Sequence, residues 1–222
     1  VKGVDEADIV KNDLEYIYTI QDFKVQIIKA YPADELGLVS ELTFGDSEFY
    51  PTEMYVDGDR LIVVGEVYGS VYDIMPIELE EDSADDADES IAKISMPSSG
   101  PTTKVFVVDI SDRSEPEIMR SLSFEGNYND SRKVDDTVYL VMQKNEYYYD
   151  FREEMPEDEL LPLEYDSFDG EIEPIAACGD IRYRPGVDET NYLILAAIPV
   201  DEADAEVDKE VILGSSGDVY SS

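Results

Sequence analysis

Carboxylates are the chemically capable side chains this sequence holds in quantity: 54 of 222 residues are Asp or Glu, against 16 Lys or Arg, and histidine is absent. Two kinds of chemistry need little else. Oxygen ligands bind hard cations, and paired acids hydrolyse glycosides. Asp5, Glu6 and Asp8 cluster beside a strand entry and form a candidate metal site, with calcium as the candidate ion. Paired-acid catalysis requires an acid in a channel with its pKa raised. Alignment of the internal repeats described below puts Glu53 and Arg132 at the entries to innermost strands, which makes them the ligand or channel candidates.

Other acidic runs fit a site less well. From Asp166 to Glu173 the chain has the acids and the Gly170 turn of a calcium loop, yet Tyr165 stands at the first ligand position and Ala176 at the place of the bidentate glutamate. Asp82 to Glu89 has many oxygens and no glycine to set their geometry. Asp57, Asp109, Asp112 and Asp135 read as turn acids that accept backbone N–H bonds. Tyr147, Tyr148 and Tyr149 are candidates for contact with a partner, since tyrosine combines a large apolar body with a polar tip.

The absences restrict function further. Without histidine, Ser-His-Asp and Cys-His nucleophile systems and His-based zinc sites cannot be assembled within the chain. Cys178 is the single cysteine, so there is no internal disulfide; between Ala177 and Gly179 it reads as a small packed residue. A net charge of −38 repels nucleic acid, whose binding needs Lys and Arg on the phosphates. No apolar run approaches the roughly 18 residues of a membrane-spanning helix. The chain opens at Val1 rather than methionine, so an upstream piece is expected.

The elements that would position these residues are strands. Val105 to Val108 with Ile110 form a β-branched and aromatic run too short for a helix; Asp112, Ser114 and Pro116 then turn the chain, and Ile118, Met119, Leu122 and Phe124 resume the apolar pattern before Gly126. Copies precede and follow this unit. Aligning their turns gives Asn12, Asp57 and Asp135 one role, ahead of the strands Tyr16 to Ile20, Leu61 to Val64 and Val138 to Met142. Third strands fall at Lys24 to Tyr31, Lys104 to Ser111 and Asn191 to Ile198; outer strands at Leu38 to Phe44, Ile118 to Phe124 and Val207 to Leu213.

The first interval is about 45 residues, the length of a propeller blade. The second is longer by an acidic surface insertion, residues 77–101, and a Tyr- and acid-rich insertion at 144–188 follows, with one short helical turn expected at Pro156 to Leu163. The predicted fold is therefore all-β: a β-propeller of four-stranded meander blades over residues 1–222, about three blades, forming the N-terminal part of a larger propeller. A β-sandwich is the competing architecture.

The opening Val1 to Asp13 with Tyr16, Ile17 and Tyr18, the run Pro51 to Leu61, the run Val108 to Asp112 and the run Glu125 to Arg132 resemble a family of secreted bacterial and archaeal β-propellers distantly related to WD repeats. The resemblance touches almost the whole chain outside the insertions. It implies an extracellular or cell-surface propeller and carries over no activity. The expected function is a non-catalytic binding or assembly module whose partner is another protein or the remaining blades; the alternative is a carboxylate-dependent carbohydrate-active enzyme.

One consequence of the charge is open to direct measurement. Counter-ions screen the self-repulsion of a chain at −38, so the melting temperature is expected to climb between low and molar sodium chloride, or on adding calcium. A flat profile would mean that the acid excess is neither screened repulsion nor a cation sink.

Overall fold

The computed structural model describes residues 4–45, 49–68, 100–145, 161–186, 190–202 and 204–214. A two-residue strand, Val4–Asp5 (β1), comes first and finds its partner far along the chain. Val10–Asn12 (β2), Tyr16–Gln21 (β3), Lys24–Lys29 (β4) and Gly37–Leu42 (β5) form the first antiparallel meander. Phe49–Asp57 (β6), Arg60–Tyr68 (β7), Pro101–Asp109 (β8) and Glu117–Glu125 (β9) form the second. The third begins with Asn127–Val134 (β10) and Thr137–Lys144 (β11) and, after Leu163–Asp166 (β12), Ile172–Pro174 (β13) and Arg182–Tyr183 (β14), closes with Tyr192–Pro199 (β15) and Asp208–Leu213 (β16).

Three successive four-stranded meanders are the predicted blades, and among the described residues no pair of facing sandwich layers is formed. The second-strand role of β3, β7 and β11 is the one expected. Strand ends differ slightly: the third strand of blade one stops at Lys29 and its outer strand at Leu42. Of the segment read as the first insertion, residues 77–99 lie outside the described residues, and Pro101 already belongs to β8. The second holds strands: β12 pairs with β9, so a hairpin inserted in blade three extends blade two, and β14 runs parallel to β16. Leu163 opens β12 where the end of a helical turn was expected; residues 156–160 of that turn lie outside the described residues.

The turns need one correction. Asp57 is the last residue of β6 and pairs with Arg60, whereas Asp135 lies inside the β10–β11 turn that Val134 and Thr137 close. The counterpart of Asp135 is thus Gly58, and both take positive φ, 48° and 55°. Superposing the turns makes Glu53 the counterpart of Asp130, and the bulge after Pro51 then coincides with the bulge after Tyr128. Local composition marks a turn, but only strand pairing fixes its register.

Blade two is the middle of the molecule. Successive strand residues point to opposite faces, so Leu61, Val63, Phe106 and Val108 join Tyr18, Val25 and Ile27 of blade one in one apolar cluster. Ile62, Val64, Val105 and Phe124 join Leu140, Met142 and Ile194 of blade three in the other.

Charged and polar ties cross the same junctions. Arg113 in the β8–β9 turn donates to Asp13 (3.2 Å) and the Tyr18 hydroxyl (3.2 Å) of blade one, and to Asp59 (2.5 Å) beside it. Burial pushes the Asp13 carboxyl up, but the Tyr18 hydroxyl, backbone N–H groups and Arg113 outweigh it and hold the pKa below the usual value. Between blades two and three, Lys144 meets Glu125 at 3.0 Å with both side chains buried. Gly126 makes the link between β9 and β10 at φ +138°, and a Cβ there would lie 3.2 Å from the Gln143 carbonyl, so this position favours glycine.

The repeat geometry yields a paired test. Ile62, buried against blade three, has Tyr139 as its counterpart on the opposite, exposed face of blade three. Ile62→Ala is expected to cost about 2–5 kcal/mol by cavity formation, and Tyr139→Ala less than about 1 kcal/mol, measured by urea denaturation. Equal losses would contradict the assignment of faces.

Candidate functional site

Glu53, Arg132 and the N-terminal acids lie on or beside the first strands of blades two and three. Glu53 and Arg132 lie within the innermost strands β6 and β10 rather than at their entries. Across them runs the N-terminal segment: Val4 and Asp5 pair with Val134 and Lys133 of blade three, and Asp8 exchanges backbone hydrogen bonds with Met54 of blade two (3.0 and 3.3 Å). The Ile9 carbonyl then accepts from Ile20 N–H of blade one at 3.0 Å. In one pass this strap touches the inner region of all three blades.

Under the strap lies a network of hydroxyls. Tyr55 and Ser131 share a hydrogen bond of 2.7 Å, the Tyr128 hydroxyl donates to Glu53 Oε1 and shares a 2.7 Å hydrogen bond with Ser131 Oγ, and the Ser131 hydroxyl approaches Glu53 Oε1 at 3.4 Å. Tyr128 N–H donates to Glu66 of β7 at 2.9 Å. Burial pushes the Tyr55 and Tyr128 hydroxyls well above the ordinary tyrosine value, and the Glu53 carboxylate reinforces this at Tyr128. Both remain protonated donors at neutral pH. Glu53 therefore works as an acceptor that ties β6 to β10.

Arg132 is spoken for on two sides. It donates to Asp130 at 2.6 Å and to its neighbour's carbonyl, and it lies 3.8 Å from Glu6 of the strap. The two channel candidates thus share one neighbourhood through Ser131, but each is engaged within the protein. An anionic ligand would have to displace Asp130 and Glu6 to reach the guanidinium.

The three acids of the candidate metal site do not converge. Asp5 pairs with Lys11 at 2.8 Å, Glu6 turns to Arg132, and Asp8 Oδ1 accepts from Ile9 N–H at 2.7 Å. Among the described residues no three carboxylates come together in a way that could hold a metal ion. The Asp166 to Glu173 run is the β12–β13 hairpin turn: Asp166 takes Phe168 N–H and the guanidinium of Arg120, and Gly170, at φ +75°, donates back to the Asp166 carbonyl. Tyr147, Tyr148 and Tyr149 lie outside the described residues. Cys178 is exposed, not packed, because the loop that carries it turns at Ala177–Asp180 away from the core.

A cleft of about 260 Å³ opens between the added hairpin and blade three, lined by Arg120, Glu164, Asp166, Glu173, Glu206 and Lys209 among others. Its cations are already paired: Arg120 with Asp166 and with the Ala205 carbonyl (2.8 Å), and Lys209 with Glu164. Composition could not single out Arg113, Tyr128 or Ser131. Their roles come from contacts made across blade junctions. For Tyr128 and Ser131 the available signal was their place in the Glu125 to Arg132 motif.

The model of a family described as Beta propeller domain matches residues 1–222. No curated protein matches the chain. No solved structure matches it either.

The tyrosine network carries a pH signature. The folded-state pKa of Tyr55 lies above the unfolded value of about 10, so unfolding releases its proton only at alkaline pH. The stability it contributes is complete below pH 10 and falls as the pH rises beyond. Tyr55→Phe is expected to lose less stability between pH 10 and pH 12 than the parent, read as melting temperature against pH. Parallel curves would remove Tyr55 as a source of the alkaline loss.

Proposed function

Since this chain belongs to the Beta propeller domain family, we propose that it works as a non-catalytic, secreted or cell-surface module that binds or assembles with other proteins. The observation that carries the reading is the outer face of blade three. Superposing blades two and three through the β7–β8 and β11–β15 registers matches Ile62, Val64 and Val105 to Tyr139, Val141 and Leu195, and the β8–β9 and β15–β16 registers match Phe124 to Ile212. In blade two these positions are buried against the next blade. In blade three Tyr139 is exposed and Val141, Leu195 and Ile212 are half-buried.

A propeller blade buries its faces against its neighbours, so this surface suits a further blade or a partner protein. The axial region supports the same reading from the opposite direction. Glu53 and Arg132 are committed to contacts within the fold, and the strap lies over them. Binding on blade faces and loops is what the geometry leaves available.

Two measurements on the purified chain test the proposal. Incubation with a panel of polysaccharides is expected to release no reducing sugar; turnover that Glu53→Gln abolishes would overturn the non-catalytic reading. Fluorescence of 8-anilinonaphthalene-1-sulfonate is expected to report the blade-three face and to fall in Leu195→Glu with the melting temperature retained; an unchanged signal would remove that face as a docking surface. Exposure at the cell surface is checked by protease digestion of intact source cells, where loss of the chain is the expected outcome.

A further inference from the structure

Among the buried polar residues of blade two, a pair on adjacent strands stands out. Lys104 on β8 and Ser123 on β9 are directly opposite in register, which puts their Cβ atoms about 4.5–5.5 Å apart on one face. That face packs on blade one, beside Phe106 and Val108. Lys104 is 9% exposed and Ser123 fully buried. In blade three the same two register positions hold Ile194 and Val211, both buried apolar residues. The repeat thus has an apolar solution at this spot, and blade two departs from it twice in adjacent strands.

Neither group is compensated. Among the described residues the Ser123 hydroxyl has no hydrogen-bond partner and the Lys104 ammonium meets no carboxylate, its contact being the Phe106 ring at 5.1 Å. This is exceptional here. Of the thirteen described basic residues eleven pair with a carboxylate. The other residue without one, Arg184, is exposed. Even Lys24, the counterpart of Lys104 in blade one, has Glu41 at 3.5 Å. Buried polar groups left without partners destabilise a fold, and such local inconsistencies concentrate where a protein does something.

The surroundings favour a neutral amine over an anion-binding cation. Phe44, Phe49 and Phe106 form a mutually packed trio with ring centroids 4.8–5.0 Å apart. On the other side of Lys104 the opposing residue is Gly65, which supplies no polar side chain. Burial lowers the pKa of Lys104 from the ordinary lysine value, so uncharged amine is present in a pH range where paired and exposed lysines are protonated. An uncharged lysine beside a hydroxyl and an aromatic wall is the arrangement of an amine nucleophile.

We propose that Lys104, with Ser123 beside it, is a reactive amine site that condenses reversibly with small apolar aldehydes, aromatic ones above all. The Lys104 Nζ lone pair forms a C–N bond to the carbonyl carbon, and the carbonyl oxygen becomes the hydroxyl of a carbinolamine. The Ser123 hydroxyl hydrogen-bonds that oxygen. The oxygen then leaves as water carrying the two amine protons, and a C=N bond remains. Nothing is oxidised or reduced, and hydrolysis returns the amine and the aldehyde.

The test is selective labelling of the folded chain at pH 8 with benzaldehyde, trapped by cyanoborohydride and located by peptide mass mapping. Lys104 is expected to be labelled faster than any other lysine, because a lowered pKa leaves more neutral amine at a given pH. Ser123→Ala is expected to slow labelling of Lys104 several-fold while leaving the other lysines unchanged. Lys104→Met, which restores the apolar character that blade three has here, and Lys104→Arg should both lose the selective adduct. Adducts spread over the lysines according to exposure would overturn the proposal, as would labelling of Lys104 only after unfolding in guanidinium. Protection of Lys104 by acetate or phosphate would also overturn it, since that marks a charged anion site instead.

Discussion

Alternation of side chains across the middle blade is the constraint on which the rest of the structure depends. A strand sends successive residues to opposite faces. In β7 and β8 both sets are apolar: Leu61, Val63, Phe106 and Val108 on one side, Ile62, Val64 and Val105 on the other. A sheet apolar on both faces has no stable existence in water by itself. It must be sandwiched, and the sequence that follows a blade has to supply the next sheet. Blade stacking is thus a consequence of β-branched residues at consecutive positions, and the four-strand width is set by the turn-forming residues between them.

Electrostatics refines this arrangement. With a net charge of −38 the surface repels itself, and several of the cations pair across the junctions between blades. Arg113 joins blade one to blade two; Lys133 with Asp57 and Lys144 with Glu125 join blade two to blade three; Lys209 with Glu164 joins blade three to the hairpin on blade two. The Glu125–Lys144 pair is buried on both sides, and the Leu163 N–H also donates to Glu125. Arg113 and Lys144 so placed add directional contacts across the junctions to the apolar ones.

Successive antiparallel meanders and the strand order within each were legible in the sequence, because both rest on local pattern: a two-residue period, β-branched runs and turn formers. What pairing at long range decides was not. The strap is the clearest case. Val4 and Asp5 have no strand-like neighbours, and their partners are Val134 and Lys133, over a hundred residues away. The β12–β13 hairpin likewise belongs by sequence to blade three and by hydrogen bonds to blade two. Glu53 and Arg132 stand within β6 and β10 rather than at the strand entries that the repeat alignment suggested, and their engagement by Tyr128, Ser131, Asp130 and Glu6 follows from contacts among three separate segments.

The strap also decides what the axis can be used for. In a stack of blades the innermost strands present unpaired backbone groups toward the centre, an edge that another chain could pair with. Here β1 takes part of the edge of β10, and Asp8 takes backbone groups of Met54 on β6. Because the segment continues directly into β2, the innermost strand of blade one, it cannot leave without pulling on that blade. The tyrosine hydroxyls beneath it stay shielded, which keeps them protonated and keeps Glu53 satisfied. The protein's own backbone thus occupies part of the edges of β6 and β10 beside Glu53 and Arg132.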